Sequence, residues 1–183
     1  MLKIVKDKKP SLRLPSKDVE MPLSKEDKDL LEEMLDYLKK SQDQSYREKH
    51  PNVREGIGLA APQIGVNKKM LVIHYLDDPE KETYITYGLV NPKIVSNSIR
   101  KCYLKSGEGC LSVDEEHPGY AYRDYKITVK AYDAFKGEET SIRAIGFDAI
   151  VLQHEIDHLH GILFYDHIDK KNPYKEIPGS VAI

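Results

Sequence analysis

Between Phe147 and His160 the chain reads Phe-Asp-Ala-Ile-Val-Leu-Gln-His-Glu-Ile-Asp-His-Leu-His, with no glycine or proline inside, and Gly161 follows where a left-handed helix cap belongs. This is a helix, and its apolar residues Ile150, Val151, Leu152, Ile156 and Leu159 fall on several faces instead of one stripe. Such a helix cannot lie on a surface and must be enclosed by other elements. The enclosing material is β-structure. Met70–Leu76, Gly88–Ser96, Ile99–Lys105 and Tyr120–Tyr132 are short runs rich in Val, Ile and Tyr, separated by turn-forming residues, and Glu139–Arg143 adds another. The alternation Lys126-Ile127-Thr128-Val129-Lys130 gives one buried and one wet face, which favours antiparallel pairing. The expected class is therefore α+β, with antiparallel strands wrapped around a central helix.

A second helix is expected from residue 25 to 43, because Ser24 and Asp27 form a capping box ahead of Leu30, Leu31, Met34, Leu35 and Leu38. Residues 42–55 are polar, carry Pro51 and end at Gly56, which reads as a solvated loop. Residues 170–183 contain Pro173, Pro178 and Gly179 and are expected to form an irregular tail. At 183 residues the chain suits a single domain. The formal charge of −2 offers no basic field for nucleic acid. The start, Met-Leu-Lys-Ile-Val-Lys-Asp, lacks the apolar run of a signal peptide, and no segment approaches membrane-spanning length. A cytoplasmic location is expected, where Cys102 and Cys110 stay unpaired.

The central helix carries chemistry. His154 and His158 stand at i and i+4, on one helix face, with Cβ atoms about 5–6 Å apart, a spacing that grips one metal ion. Glu155 lies about 100° round the helix, where it reaches a water on that metal and not the metal itself. Two surface histidines beside an ion-paired glutamate remain the alternative, but burying these groups in so apolar a helix is costly without a compensating metal. A catalytic site needs a third protein ligand. The long metalloprotease pattern would place a histidine at position 164, which is Phe, and the two-His-plus-Glu pattern would have to use Glu176, in the proline-broken tail. Cys110, flanked by Gly107 and Gly109, sits in a turn where backbone can approach closely, and its thiolate would complete a Cys-His-His set. Cys102, inside a strand, reads as an ordinary packed residue.

Three blocks, Gly56-Ile57-Gly58-Leu59-Ala60-Ala61-Pro62-Gln63, Glu108-Gly109-Cys110-Leu111-Ser112 and His154-Glu155-Ile156-Asp157-His158, together resemble the peptide deformylases. Weaker matches at Pro10–Arg13, at Arg123 and at Gly161–Asp166 extend the likeness over nearly the whole chain. Residues 40–55 and 77–87 look like insertions of the subgroup common in Gram-positive bacteria, and His160 stands where relatives more often carry Asn or Asp.

The resemblance implies one divalent ion, Fe(II) in the cell with Ni, Co or Zn able to substitute, held by Cys110, His154 and His158. It implies Glu155 as acid and base, and the Gln63 amide with the Leu111 N–H as oxyanion donors. It further implies a Glu108–Arg123 pair holding the cysteine loop, and a monomer acting on N-formylmethionyl nascent peptides near the ribosomal exit tunnel. Ile150 and Val151 lie one turn before His154 on the metal face, where they either wall a methionine pocket or serve as plain core. Gly58 and Gly109 would let the substrate run as an added strand, and Ile57 is expected among the substrate-binding residues.

Overall fold

The computed structural model describes residues 2–183. Helix α1 spans Lys25–Gln42, and its start follows the capping residues: the Ser24 Oγ accepts from the Asp27 N–H at 3.1 Å. The stretch expected as a loop after it instead contains a short helix, α2 (Gln44–Lys49). The physical reason is local, since the Asp43 carboxylate accepts from the N–H groups of Ser45 and Tyr46 and caps the turn, while the Tyr46 side chain packs against the core.

The strands are β1 (Gly58–Ala60), β2 (Met70–Asp78), β3 (Thr83–Asn97), β4 (Lys101–Tyr103), β5 (Arg123–Asp124), β6 (Lys126–Asp133), β7 (Glu138–Ile145) and β8 (Val181–Ala182). Five of them form one sheet in the order β1-β2-β3-β6-β7, every pairing antiparallel. A smaller sheet runs β5-β4-β8.

Several boundaries differ from expectation. β3 begins at Thr83 because Thr83 to Tyr87, expected as an insertion, pairs with β2 from Asp78 to Ile73 and lengthens that hairpin, with Ile85 and Tyr87 packed against the core. Tyr120 to Tyr122 is not strand, and the run expected there starts only at Arg123. The tail is not wholly irregular: β8 lies parallel to β4, with the Ile183 N–H bonded to the Tyr103 carbonyl at 2.9 Å. Two residues carry no readable periodicity, so only the neighbouring strand reveals them.

Helix α3 (Phe147–Leu159) ends as its sequence requires. Gly161 has φ of 72°, the Ile162 N–H returns to the Asp157 carbonyl at 3.0 Å, and the Gly161 N–H returns to the His158 carbonyl. Alternation along β2 explains how one sheet serves two helices. Leu71, Ile73 and Tyr75 join Val151, Leu152, Ile156 and Leu159 of α3 in one buried cluster. Met70 and Val72 point the other way, against Leu31, Met34 and Leu38 of α1. On β6 the residues Ile127, Val129 and Ala131 face α3, as the lysine-flanked alternation indicates. From the other side Gln153 pins β5 to the helix, accepting from the Asp124 N–H and donating to its carbonyl, each at 2.9 Å. α3 is thus gripped between the two sheets, and one end of its metal-facing side is left open. Among the described residues no helix is long and apolar enough to cross a membrane.

Candidate metal centre and active site

One turn of α3 carries His154 and His158, with ring centroids 5.1 Å apart. The loop after β4 brings Cys110 against them, its Sγ 3.3 Å from the His158 Nε2. One donor atom from each of Cys110, His154 and His158 lies within 4.8 Å of the others. Burial by itself would raise the Cys110 thiol, yet the facing imidazoles of His158 and His154 hold it well below the ordinary thiol value. The donor set fits a soft or borderline divalent cation, which prefers thiolate and imidazole ligands.

A ligating imidazole is usually oriented through its other nitrogen; the His158 Nδ1 has no hydrogen-bond partner among the described residues. For His154 the partner is Glu108, whose Oε2 lies 2.8 Å from Nδ1. Glu108 is itself held by Arg123, at 2.7 Å from Nε and 2.9 Å from Nη2. Burial alone would raise the Glu108 carboxyl, but the bonds from His154 and Arg123 bring it down to about 2. The expected Glu108–Arg123 pair is therefore present, with side chains only 3% and 2% exposed. It is part of something larger. Arg123 Nη1 also reaches Asp157 at 2.6 Å, and Asp157 lies 2.7 Å from the His167 Nε2. Neither Asp157 nor His167 carries a role in the sequence reading; an acid within so apolar a helix is the available signal for the first, whereas nothing local marks His167.

Glu155 is 4% exposed, and its Oε2 has no hydrogen-bond partner among the described residues. Burial pushes this carboxyl up. The space it occupies exists because residue 58 is glycine: a Cβ there would lie 2.6 Å from the Glu155 Cδ. The turn after β1 places Gln63, whose orientation is set by its Oε1 accepting from the Ala60 N–H at 2.8 Å. Its Nε2 consequently faces the site, 3.5 Å from the Cys110 Sγ and 3.2 Å from the Ser112 Oγ.

These groups floor a cleft of about 310 Å³. Ile57, Gly58, Gly109, Leu111, Ile150 and Val151 all line it, so the residues expected from sequence to contact substrate are brought together. His158 and Arg123 lie behind the wall, both buried. The cleft also uses Arg54, Leu104 and Phe147, which no sequence motif picks out. Arg54 falls in the segment expected as solvated loop, and Leu104 and Phe147 carry no spacing signal.

Comparison with known proteins identifies the family. The sequence profile of the polypeptide deformylase family matches residues 1–174. A peptide deformylase of Macrococcus caseolyticus is 50% identical over 183 residues, covering 100% of this chain and 98% of that protein. Peptide deformylase 2 of Bacillus subtilis is also 50% identical, over 100% of this chain and 97% of its own length. Among solved structures, a probable peptide deformylase from a Synechococcus phage is similar with a TM-score of 0.74 at 35% identity, covering 92% of this chain and 100% of that one. The peptide deformylase from Thermus thermophilus gives 0.74 at 29% identity, with coverage of 94% and 89%. With the profile spanning nearly all of the sequence and relatives matching it end to end, this chain belongs to the polypeptide deformylase family.

Proposed function

We propose that this enzyme hydrolyses the N-formyl group from the initiator N-formylmethionine of nascent polypeptides, releasing formate. The observation that carries the reading is Glu155: a buried carboxyl with an unpartnered oxygen, raised by burial and set in a cleft beside a Cys-His-His cluster of which Cys110 and His154 line the wall. Nothing structural requires an unsatisfied carboxyl there, whereas proton transfer does. Cys110, His154 and His158 would hold the ion. When bound, Fe(II), for which Ni, Co or Zn can stand in, supplies Lewis acidity to the formyl oxygen and acidifies a water.

The protein residues do the rest. Glu155 accepts the proton of the attacking water and delivers it to the leaving amine, so one carboxyl serves both half-steps. Negative charge developing on the formyl oxygen is received by the Leu111 N–H and the Gln63 Nε2. Among the described residues β1 is an edge strand paired only with β2, so its free edge can take a substrate backbone as an added strand, with Gly58 and Gly109 keeping the approach open. Ile150 and Val151, together with Ile57, wall the position for the methionine side chain. We place the enzyme in the cytoplasm as a monomer working on chains emerging from the ribosome, a setting supported by the family resemblance.

The test is formate release from formyl-Met-Ala-Ser by protein purified anaerobically with Fe(II). Activity is expected in the wild type, with a loss of about 10²–10⁴-fold in Glu155→Ala at unchanged metal content. A metal-loaded wild type that releases no formate refutes the proposal. Exposure to air should inactivate the iron form within hours while the nickel form persists; equal lifetimes would argue against iron.

A further inference from the structure

The turn that carries Cys110 and Leu111 lies outside every strand and helix, so its carbonyls depend on partners from elsewhere. One side chain supplies most of them. Arg54 Nη2 donates to the Cys110 carbonyl at 2.8 Å and to the Leu111 carbonyl at 2.6 Å, and Nη1 donates to the Val113 carbonyl at 3.1 Å. Within the turn, the Val113 N–H reaches the Cys110 carbonyl at 3.2 Å. Lys6 Nζ adds a bond to the Leu111 carbonyl at 3.0 Å, and Asp114 accepts from Lys6 at 2.7 Å while lying 3.4 Å from the Arg54 Nη2.

The consequence follows from peptide geometry. The Cys110 C=O and the Leu111 N–H belong to one planar trans unit and point in opposite directions. Whatever holds the carbonyl aims the N–H. We propose that Arg54 is a positioning residue for the oxyanion site: by anchoring the Cys110 carbonyl, it fixes the opposite direction in which the Leu111 N–H points. A cation on the carbonyl also polarises the peptide and strengthens the N–H as a donor. The forked guanidinium suits this task, because its separate N–H groups reach three carbonyls at once, whereas an ammonium is a point charge on a flexible stem. This inference rests on the reading that Leu111 donates to the developing oxyanion.

The test uses the full-length, metal-loaded enzyme with Arg54→Ala and Arg54→Lys. Removing an oxyanion donor outright lowers kcat by about 10²–10³-fold, so misaiming one is expected to lower it by about 10–100-fold in Arg54→Ala. KM for formyl-Met-Ala-Ser should change by less than about threefold, since a transition-state contact is lost and not a ground-state one. Arg54→Lys should recover only part of the rate. The Arg54 side chain is 45% exposed, which leaves room for added guanidinium ion to restore activity to the alanine variant.

A second readout needs no turnover: the Leu111 amide resonance of the ¹⁵N-labelled protein should shift or broaden in Arg54→Ala, while the Gln63 side-chain amide stays in place. An unchanged kcat, an effect confined to KM, or an unmoved Leu111 resonance would each overturn the proposal. A metal-loaded wild type without deformylase activity removes the reaction reading, and the resonance then decides the role of Arg54 in aiming the turn.

Discussion

Replacing Arg123 by methionine tests the buried network that supports His154. The guanidinium is 2% exposed and is shared between Glu108, 3% exposed, and Asp157, 18% exposed. Methionine nearly matches the volume but removes the cation between two carboxylates, one of which is almost wholly desolvated. Breaking a buried pair by removing one partner costs about 3–5 kcal/mol, because the other charge stays buried. Unfolding entropy of about 2.1 cal/mol/K per residue gives a chain of 183 residues about 0.4 kcal/mol per kelvin, so Tm should fall by about 8–13 °C. The effect should reach the metal as well. With Glu108 no longer held, the His154 ring loses its fixed orientation, and affinity should drop about 10–100-fold.

Thermal unfolding followed by circular dichroism in chelator gives the first quantity, and competition with a chromophoric chelator for Ni or Zn gives the second. Combining Arg123→Met with Glu108→Gln should cost less than the sum of the two single changes, since the second removes the charge that the first stranded. A Tm reduction under about 3 °C together with unaltered metal affinity would refute the reasoning.

Gly58→Ala should lower kcat strongly at unchanged metal content, because the new Cβ would lie 2.6 Å from the Glu155 Cδ and must displace the carboxyl; metal analysis beside steady-state kinetics checks it. Ile150→Phe should raise KM for formyl-Met substrates far more than it lowers Tm if Ile150 walls the methionine position, and a purely thermal effect would assign it to the core. At Asp166 burial opposes ionisation, but Arg13 and the Leu163 N–H hold the carboxyl below its ordinary 3.8. A depressed folded-state value contributes stability above 3.8 that is lost as pH falls through the folded value. The urea midpoint difference between wild type and Arg13→Gln should accordingly be largest near neutral pH and shrink in acid, and a constant difference would contradict the assignment.

Elements whose signals are local can be read from the order of residues alone. The all-round apolar character of 147–160 requires an enclosed helix, its i, i+4 histidines share a face, and Gly161 stops it, because helix pitch and capping depend only on residues a turn apart. Ser24 and Asp27 mark α1 for the same reason. The alternation on β6 declares which side is buried. Cys110 follows from eliminating other ligand patterns and then from resemblance, since its approach to His158 spans a long chain separation that no spacing encodes.

Features that depend on such distant partners emerge only when the chain is packed. β1 and β8, at three and two residues, exist because β2 and β4 offer ladder bonds. The joining of Glu108, Arg123, Asp157 and His167 into one network needs the cysteine loop, β5, α3 and the segment after it to meet. Arg54 shows the limit most clearly. It lies in a polar stretch that reads as a solvated loop, and its place at the turn of Leu111 follows from three carbonyls on a distant segment whose direction is set by packing.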